Sequence, residues 1–247
     1  MKEEKNTQSW TENDSDSFIA SGNVFVPDRA RQYQRICNLL PKADSTVNVL
    51  DICCGEGLLS FEIAKKSPFY EMYCYDGSPV MLENAKKHLS RLPNKAHFEL
   101  FDLLDFEQSR FPSSCHAVVS SLAIHHLEDK RKEDLFKYVN NLLLLNGLFV
   151  VVDVILPVYQ EAVNIAAEDW DMAAYKQSID LTGSFNAYQI FQDEKWNMYH
   201  YLDDESYMSY DKPSTIYNQL KWLEKAGFSK IDVLWMYAGH VIFYGIK

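Results

Sequence analysis

The chain has 247 residues, enough for one α/β domain with room for an inserted cap, and its composition is that of a folded globular protein. A net charge of −11 argues against a polyanionic partner, which calls for a phosphate-neutralising basic surface, and no Lys/Arg run supplies one locally. Five cysteines (37, 53, 54, 74 and 115) without CxxC spacing fit reduced thiols, and no window reaches transmembrane length. The expected setting is therefore the cytoplasm, with neither nucleic acid nor membrane as partner. Oligomeric state is not legible.

In chain order, residues 1–17 are polar and acidic and read as a flexible tail ahead of one domain over 18–247. Asp28–Leu40, between two prolines, places Ile36, Leu39 and Leu40 on one helical face. Val47–Ile52 is a short apolar run of buried-strand type, with Leu58–Lys65 as the next helix. The alternation continues with a strand at Glu71–Tyr75, a helix at Pro79–Leu89 and strands at Ala96–Leu100 and Ala117–Ser121. A helix over Lys130–Leu145 then meets a turn at Asn146–Gly147 and a strand at Phe149–Val154. Residues 156–210, rich in Tyr, Trp and acids, break the pattern and read as a helical, aromatic cap insertion. A helix at Thr215–Ala226 and two strands, Ile231–Trp235 and His240–Tyr244, end the chain; their short connection permits only an antiparallel pair. The predicted fold is α/β: a doubly wound, mostly parallel, seven-stranded sheet whose last strand is antiparallel.

The segment Val49-Leu50-Asp51-Ile52-Cys53-Cys54-Gly55-Glu56-Gly57-Leu58-Leu59-Ser60 runs from a strand through a glycine-bearing loop into a helix. Gly55 and Gly57 allow a tight turn and close backbone approach to a ligand, and the helix start offers N–H groups. Asp51, at the strand's end, repels a pyrophosphate but suits an ammonium group. Ser60 stands where a dinucleotide fold wants a third Gly, and the Walker ending is missing. Asp76, twenty-five residues beyond Asp51, is placed to take the two hydroxyls of a ribose. An acid for an amino group, glycines for the backbone and an acid for ribose together describe S-adenosylmethionine.

VLDICCGEG resembles the first motif of the class I, Rossmann-like S-adenosylmethionine-dependent methyltransferases, small-molecule branch, with Cys53 where that family commonly has Gly. YDGSPVMLENAKK is similar to its second motif, FDLLDF to its third, AVVSSLAIHHL and LLLLNGLFVVVD to its fourth- and fifth-strand motifs. The resemblance implies donor contacts from Asp51, Cys53, Gly55 and Gly57, then Asp76, Gly77, Ser78 and Met81, then Asp102 and Leu103, then Ser120 and Leu122. It implies S-adenosylmethionine as cofactor, S-adenosylhomocysteine as product, and a small aromatic or apolar metabolite as acceptor.

His125-His126 follows the fourth strand and offers a general base, or a structural support of the donor shelf. Cys53-Cys54 reads as packed small residues rather than a soft-metal pair. In the cap, Trp170, Trp196, His200 and Tyr201 are candidates for an acceptor pocket, against plain packing of the cap on the core. No Asn/Asp-Pro-Pro-Tyr/Phe follows the fourth strand and no Pro-Cys nucleophile is present, which disfavours the amino-group and cytosine-C5 branches. No spacing of His, Asp and Glu points to a metal, although folding can assemble one in space. Two other readings stay open: a cofactor-binding regulatory protein without turnover, and an enzyme that carboxylates the donor for RNA modification. The latter needs a cation at the sulfonium substituent, for which Arg29 and Arg35 are the early candidates.

Overall fold

A computed structural model describes residues 10–112 and 114–247. The strands are β1 (Val47–Ile52), β2 (Tyr70–Asp76), β3 (Ala96–Leu100), β4 (Cys115–Ser121), β5 (Leu143–Val154), β6 (Ser229–Tyr237) and β7 (His240–Ile246). They form one sheet in the order β3-β2-β1-β4-β5-β7-β6. The first five are parallel, and β7 runs antiparallel between β5 and β6. Val49, Leu50 and Ile52 are wholly buried, as a strand covered on both faces requires. The chain reverses direction across the sheet between β1 and β4, so a crevice opens at the carboxyl ends of these strands.

Alternate side chains feed two cores. On one face Val49, Ala117 and Val119 meet Ile36, Leu59, Ile63 and Leu82 from helices α2 (Arg29–Leu39), α3 (Leu58–Ala64) and α4 (Pro79–Leu89). On the other, Leu50, Val118 and Phe149 meet Phe136 and Val139 of α5 (Asp129–Leu142) and Trp222 and Leu223 of α9 (Ile216–Lys225). A third core lies under the cap and takes in Val154 at the end of β5. It joins α1 (Glu12–Phe25) to α6 (Gln160–Thr182) and α7 (Asn186–Asp193) through Val24, Phe25, Val163, Trp170 and Phe191. Within 156–210, α6 and α7 are followed by a 3₁₀ turn at Met198–His200 and a short α8 (Glu205–Met208).

Two expectations need correction. Residues 12–17, expected in the tail, begin α1: the Thr11 hydroxyl accepts from the Asp14 amide and the Asp14 carboxylate accepts from the Thr11 amide, a reciprocal capping box. Residues 1–9 of the expected tail lie outside the described residues. The helix expected to reach Leu145 stops at Leu142, and β5 starts at Leu143. Asn146–Gly147 is a bulge within that strand, with Asn146 left-handed at φ 64°, and the pairing to β4 jumps from Cys115–Leu143 to Ala117–Leu148. The closing hairpin turns at Ala238-Gly239, both with positive φ (50° and 72°), as a tight two-residue turn between twisted strands demands.

Candidate active site

The loop after β1 holds three left-handed residues, Cys53, Gly55 and Gly57, at φ 57°, 55° and 76°. Cys53 thus occupies a conformation that favours glycine, and its thiol is kept protonated by burial and by the surrounding carboxylates Asp76, Asp51, Asp102 and Asp153. Gly57 is fixed by packing as well as by φ: a Cβ there falls 2.8 Å from Cβ of Ala85 on α4. Gly55 faces Met81, and a Cβ on Gly77 meets the Phe101 carbonyl at 3.2 Å.

Asp51 is buried at the end of β1; one carboxylate oxygen accepts the Ser60 hydroxyl at 2.6 Å and the other has no partner. Burial, with a smaller push from Asp76, lifts its pKa to about 7. An unpartnered, buried carboxylate oxygen fits the ammonium group inferred from sequence, and Ser60 is explained as its orienting donor. Asp76 accepts the Gly55 amide at 2.8 Å and the Ser78 amide at 2.9 Å, tying the two donor loops together. Its pKa is raised by burial against these hydrogen bonds. Ser78 caps α4 by accepting the Met81 amide. Asp102 is exposed and caps the 3₁₀ turn at Leu103–Gln108, with the half-buried Leu103 beside it. Ser120 is wholly buried and donates to the Ile52 carbonyl at 2.9 Å, so its side chain braces β1 against β4. Leu122 sits half-buried at φ 56°, a strained backbone at the crevice edge.

Beyond β4, the amide and Nδ1–H of His125 both donate to Asp153 of β5, at 2.8 and 2.5 Å. Asp211, from the segment between α8 and α9, brings Oδ1 to 3.5 Å from Nε2 of His125 and 3.2 Å from Nδ1 of His126. Nε2 of His126 lies 3.3 Å from the Tyr210 hydroxyl. Burial disfavours both imidazolium forms; Asp153 and Asp211 outweigh it at His125, whose pKa rises, whereas burial and the neighbouring His125 depress His126. Lys132, wholly buried, donates to the Lys212 carbonyl and, at 2.5 Å, to the Ser214 hydroxyl, fixing the segment that carries Asp211.

Residues 49–147 match the family model described as a methyltransferase domain. Over these residues the chain carries a methyltransferase domain of the S-adenosylmethionine-dependent type, in a sheet of the order β3-β2-β1-β4-β5-β7-β6. The chain is 24% identical over 200 residues to a carboxy-S-adenosyl-L-methionine synthase of a Nitratiruptor species, covering 81% of this chain and 75% of that protein. It is 33% identical over 94 residues to a demethylmenaquinone methyltransferase of Leptospira interrogans serogroup Icterohaemorrhagiae, covering 36% of this chain and 38% of the relative. Its fold matches an O-methyltransferase family 2 protein of Planctomyces limnophilus solved with apigenin (TM-score 0.64, 16% identity, 98% of this chain, 63% of that one). It also matches human N-acetylserotonin methyltransferase in complex with its donor (TM-score 0.59, 14% identity, 96% and 56%). The chain thus spans about three fifths of the length of these two solved chains.

Of the cap residues expected to line a pocket, the structure brings only Trp196 to the cluster's surroundings. Trp196 packs 6.2 Å from Trp10, which in turn stands 6.3 Å from His126. Trp170 is buried in the third core, its indole N–H on the Phe25 carbonyl at 2.7 Å. His200 is exposed and pairs with Asp171 at 2.8 Å, and Tyr201 stacks on Tyr207 and Lys195. Trp170 also meets His240 of β7 edge-on at 4.5 Å, whereas His200 and Tyr201 find these partners within the cap. Sequence reasoning missed Trp10, Asp153, Tyr210 and Asp211, which long-range folding alone brings to the histidines. It missed Glu12 and Ser15 too, which reach Ser78 at 2.9 and 3.1 Å and lay α1 across the donor loops. Two surface clefts of about 580 and 530 Å³ lie elsewhere, the first lined by Lys176 and Trp235, the second by Gln34 and Glu62.

Proposed function

We propose that this methyltransferase acts on a small, aromatic or apolar acceptor. The observation that carries this reading is the wall of Trp10, Phe18 and Trp196, with ring centroids 5.7–6.2 Å apart, which ends at His126 on the crevice edge of β4. Aromatic faces bury a flat acceptor at low entropic cost, while the polar cluster gives its heteroatom a fixed place. On this reading Asp51 holds the donor's ammonium, Asp76 its ribose and Asp102 its adenine amino group, with Gly55, Gly57, Gly77, Ser78, Met81, Leu103 and Leu122 shaping the groove. Bound S-adenosylmethionine supplies an electrophilic methyl group. The residues contribute orientation and exclusion of water, and the histidine cluster receives the proton of a hydroxyl acceptor. The buried thiols of Cys37, Cys54, Cys74 and Cys115 are free, which supports a reducing, cytoplasmic setting. No described helix is long and apolar enough to cross a membrane.

Calorimetry with S-adenosylmethionine and S-adenosylhomocysteine tests the donor site. Asp76→Ala removes two charge-assisted hydrogen bonds and is expected to weaken binding by about 100- to 10,000-fold, each such bond being worth about 1.5–3 kcal/mol. Wild type and Asp76→Ala with equal affinities, or no binding by either, would sink the reading. A second reading, synthesis of a carboxylated donor, is favoured by the relative matched over 81% of the chain. Its candidate cation, Arg29, is already buried against Tyr33 at 2.7 Å and Glu56 at 3.8 Å. Mass spectrometry of the co-purifying ligand separates the two, since only the second retains a donor heavier by one carboxyl group.

A further inference from the structure

The proton-accepting part proposed above needs one imidazole, yet His125, His126 and Asp211 bring one ligand atom each to within 4.8 Å of one another. We propose that they form a binding site for a divalent metal ion of the zinc class, with an open position facing the aromatic wall. The distances carry the argument. Tetrahedral ligands about 2.0–2.1 Å from an ion stand about 3.3–3.4 Å apart. Asp211 Oδ1 stands 3.5 Å from His125 Nε2 and 3.2 Å from His126 Nδ1.

The outer partners set both imidazoles for ligation. The Asp153 carboxylate takes the backbone amides of His125 and Val154 and the Nδ1–H of His125. It therefore holds the proton on Nδ1 and turns the lone pair of Nε2 towards Asp211, the carboxylate–histidine arrangement of metal sites. At His126 the Tyr210 hydroxyl oxygen can accept Nε2–H, the tautomer that leaves the Nδ1 lone pair for the ion. That Nδ1 is buried and, although 3.2 Å from Asp211, makes no hydrogen bond. A hydrogen-bonded network of the same residues leaves this atom unsatisfied; an ion satisfies it. Three protein ligands and an open fourth position are the composition of a reactive rather than a structural zinc site. The bulge-bearing β5 supplies Asp153, the turn after β4 the histidines, and the Lys132-tethered return segment Asp211, so the site closes only in the folded chain.

The test uses the full chain, stripped with a chelator and titrated with Co²⁺ alone and then Zn²⁺ alone. One equivalent of Co²⁺ should give the intense visible bands of a four-coordinate ion, quench Trp10 fluorescence and be displaced by Zn²⁺. Trp10→Phe should lose the quenching and keep the bands. Asp211→Asn should abolish the bands, and Asp153→Asn should weaken Co²⁺ binding by about 10- to 100-fold. His200→Ala, on the exposed surface, should change nothing. Circular dichroism and donor-binding calorimetry on each variant report folding independently, so a failed donor site and a failed metal site give different results. Absence of the bands in wild type, or equal bands in wild type and a folded Asp211→Asn, overturns the proposal.

Discussion

Near neutral pH, Asp51 sits midway through its titration, because burial has carried its carboxyl group from the ordinary 3.8 up to about 7. A carboxyl group with a higher pKa in the folded than in the unfolded chain holds its proton longer when folded. Its stabilising contribution is therefore complete below about pH 4 and is lost as pH rises through about 7. For the donor-free protein this slope amounts to a few kcal/mol at the order of magnitude, and Asp51→Asn should flatten it in urea-unfolding series across that range. An ammonium ligand reverses the preference by favouring the carboxylate. Donor binding should release protons near pH 7, seen as a buffer-dependent calorimetric enthalpy in wild type and not in Asp51→Asn. Equal proton release in both would remove Asp51 from the donor's amino end. The acids Asp51 and Asp76 were legible because each ends a strand at motif spacing. Asp211 was not, since it is one acid among many around the cap and only tertiary folding sets it between two histidines.

The elements were legible in proportion to how local their causes are. β1, β2 and the closing hairpin follow from apolar runs and turn geometry close in sequence. The start of β5 does not, because Leu143, Leu144 and Leu145 have good helical propensity and only pairing with β4 makes them extended. α1 was hidden by its many Asp, Asn and Ser residues; its one sequence signal is the Thr11–Asp14 capping box beside Trp10. The packing of α3 on α4 gives a sharp prediction. Gly57→Ala combines φ 76° with a Cβ 2.8 Å from Ala85, and should cost about 2–4 kcal/mol in chemical unfolding. Ala85→Gly in the same chain should restore the steric part and leave the backbone part. If the double variant is no more stable than the single one, the close approach is not the cause.

Across the whole molecule, the third core is separate from the two that clasp the sheet. Phe25 is buried there against Phe191 and Trp196, with centroids 5.8 and 4.9 Å away. Phe25→Ala should cost about 3–5 kcal/mol locally. Hydrogen exchange should rise in α1, α6 and α7 and stay unchanged in β1 and β4, because only contacts within that core are lost. Uniform acceleration would mean that sheet and cap unfold as one unit.

The cap is nevertheless pinned to the closing hairpin through Tyr199. The Tyr199 hydroxyl donates to the carbonyls of Ile155 and Gly239, at 2.6 and 2.9 Å, and a Cβ on Gly239 would land 2.1 Å from that oxygen. The hairpin tip therefore works as a keyed socket, and Tyr199 as the key. Modular exchange of caps between related enzymes, as a route to new acceptors, must carry both halves of this lock. Gly239→Ala alone should expel Tyr199 and loosen the cap, whereas grafting a foreign cap should succeed only with the matching socket residue beneath it.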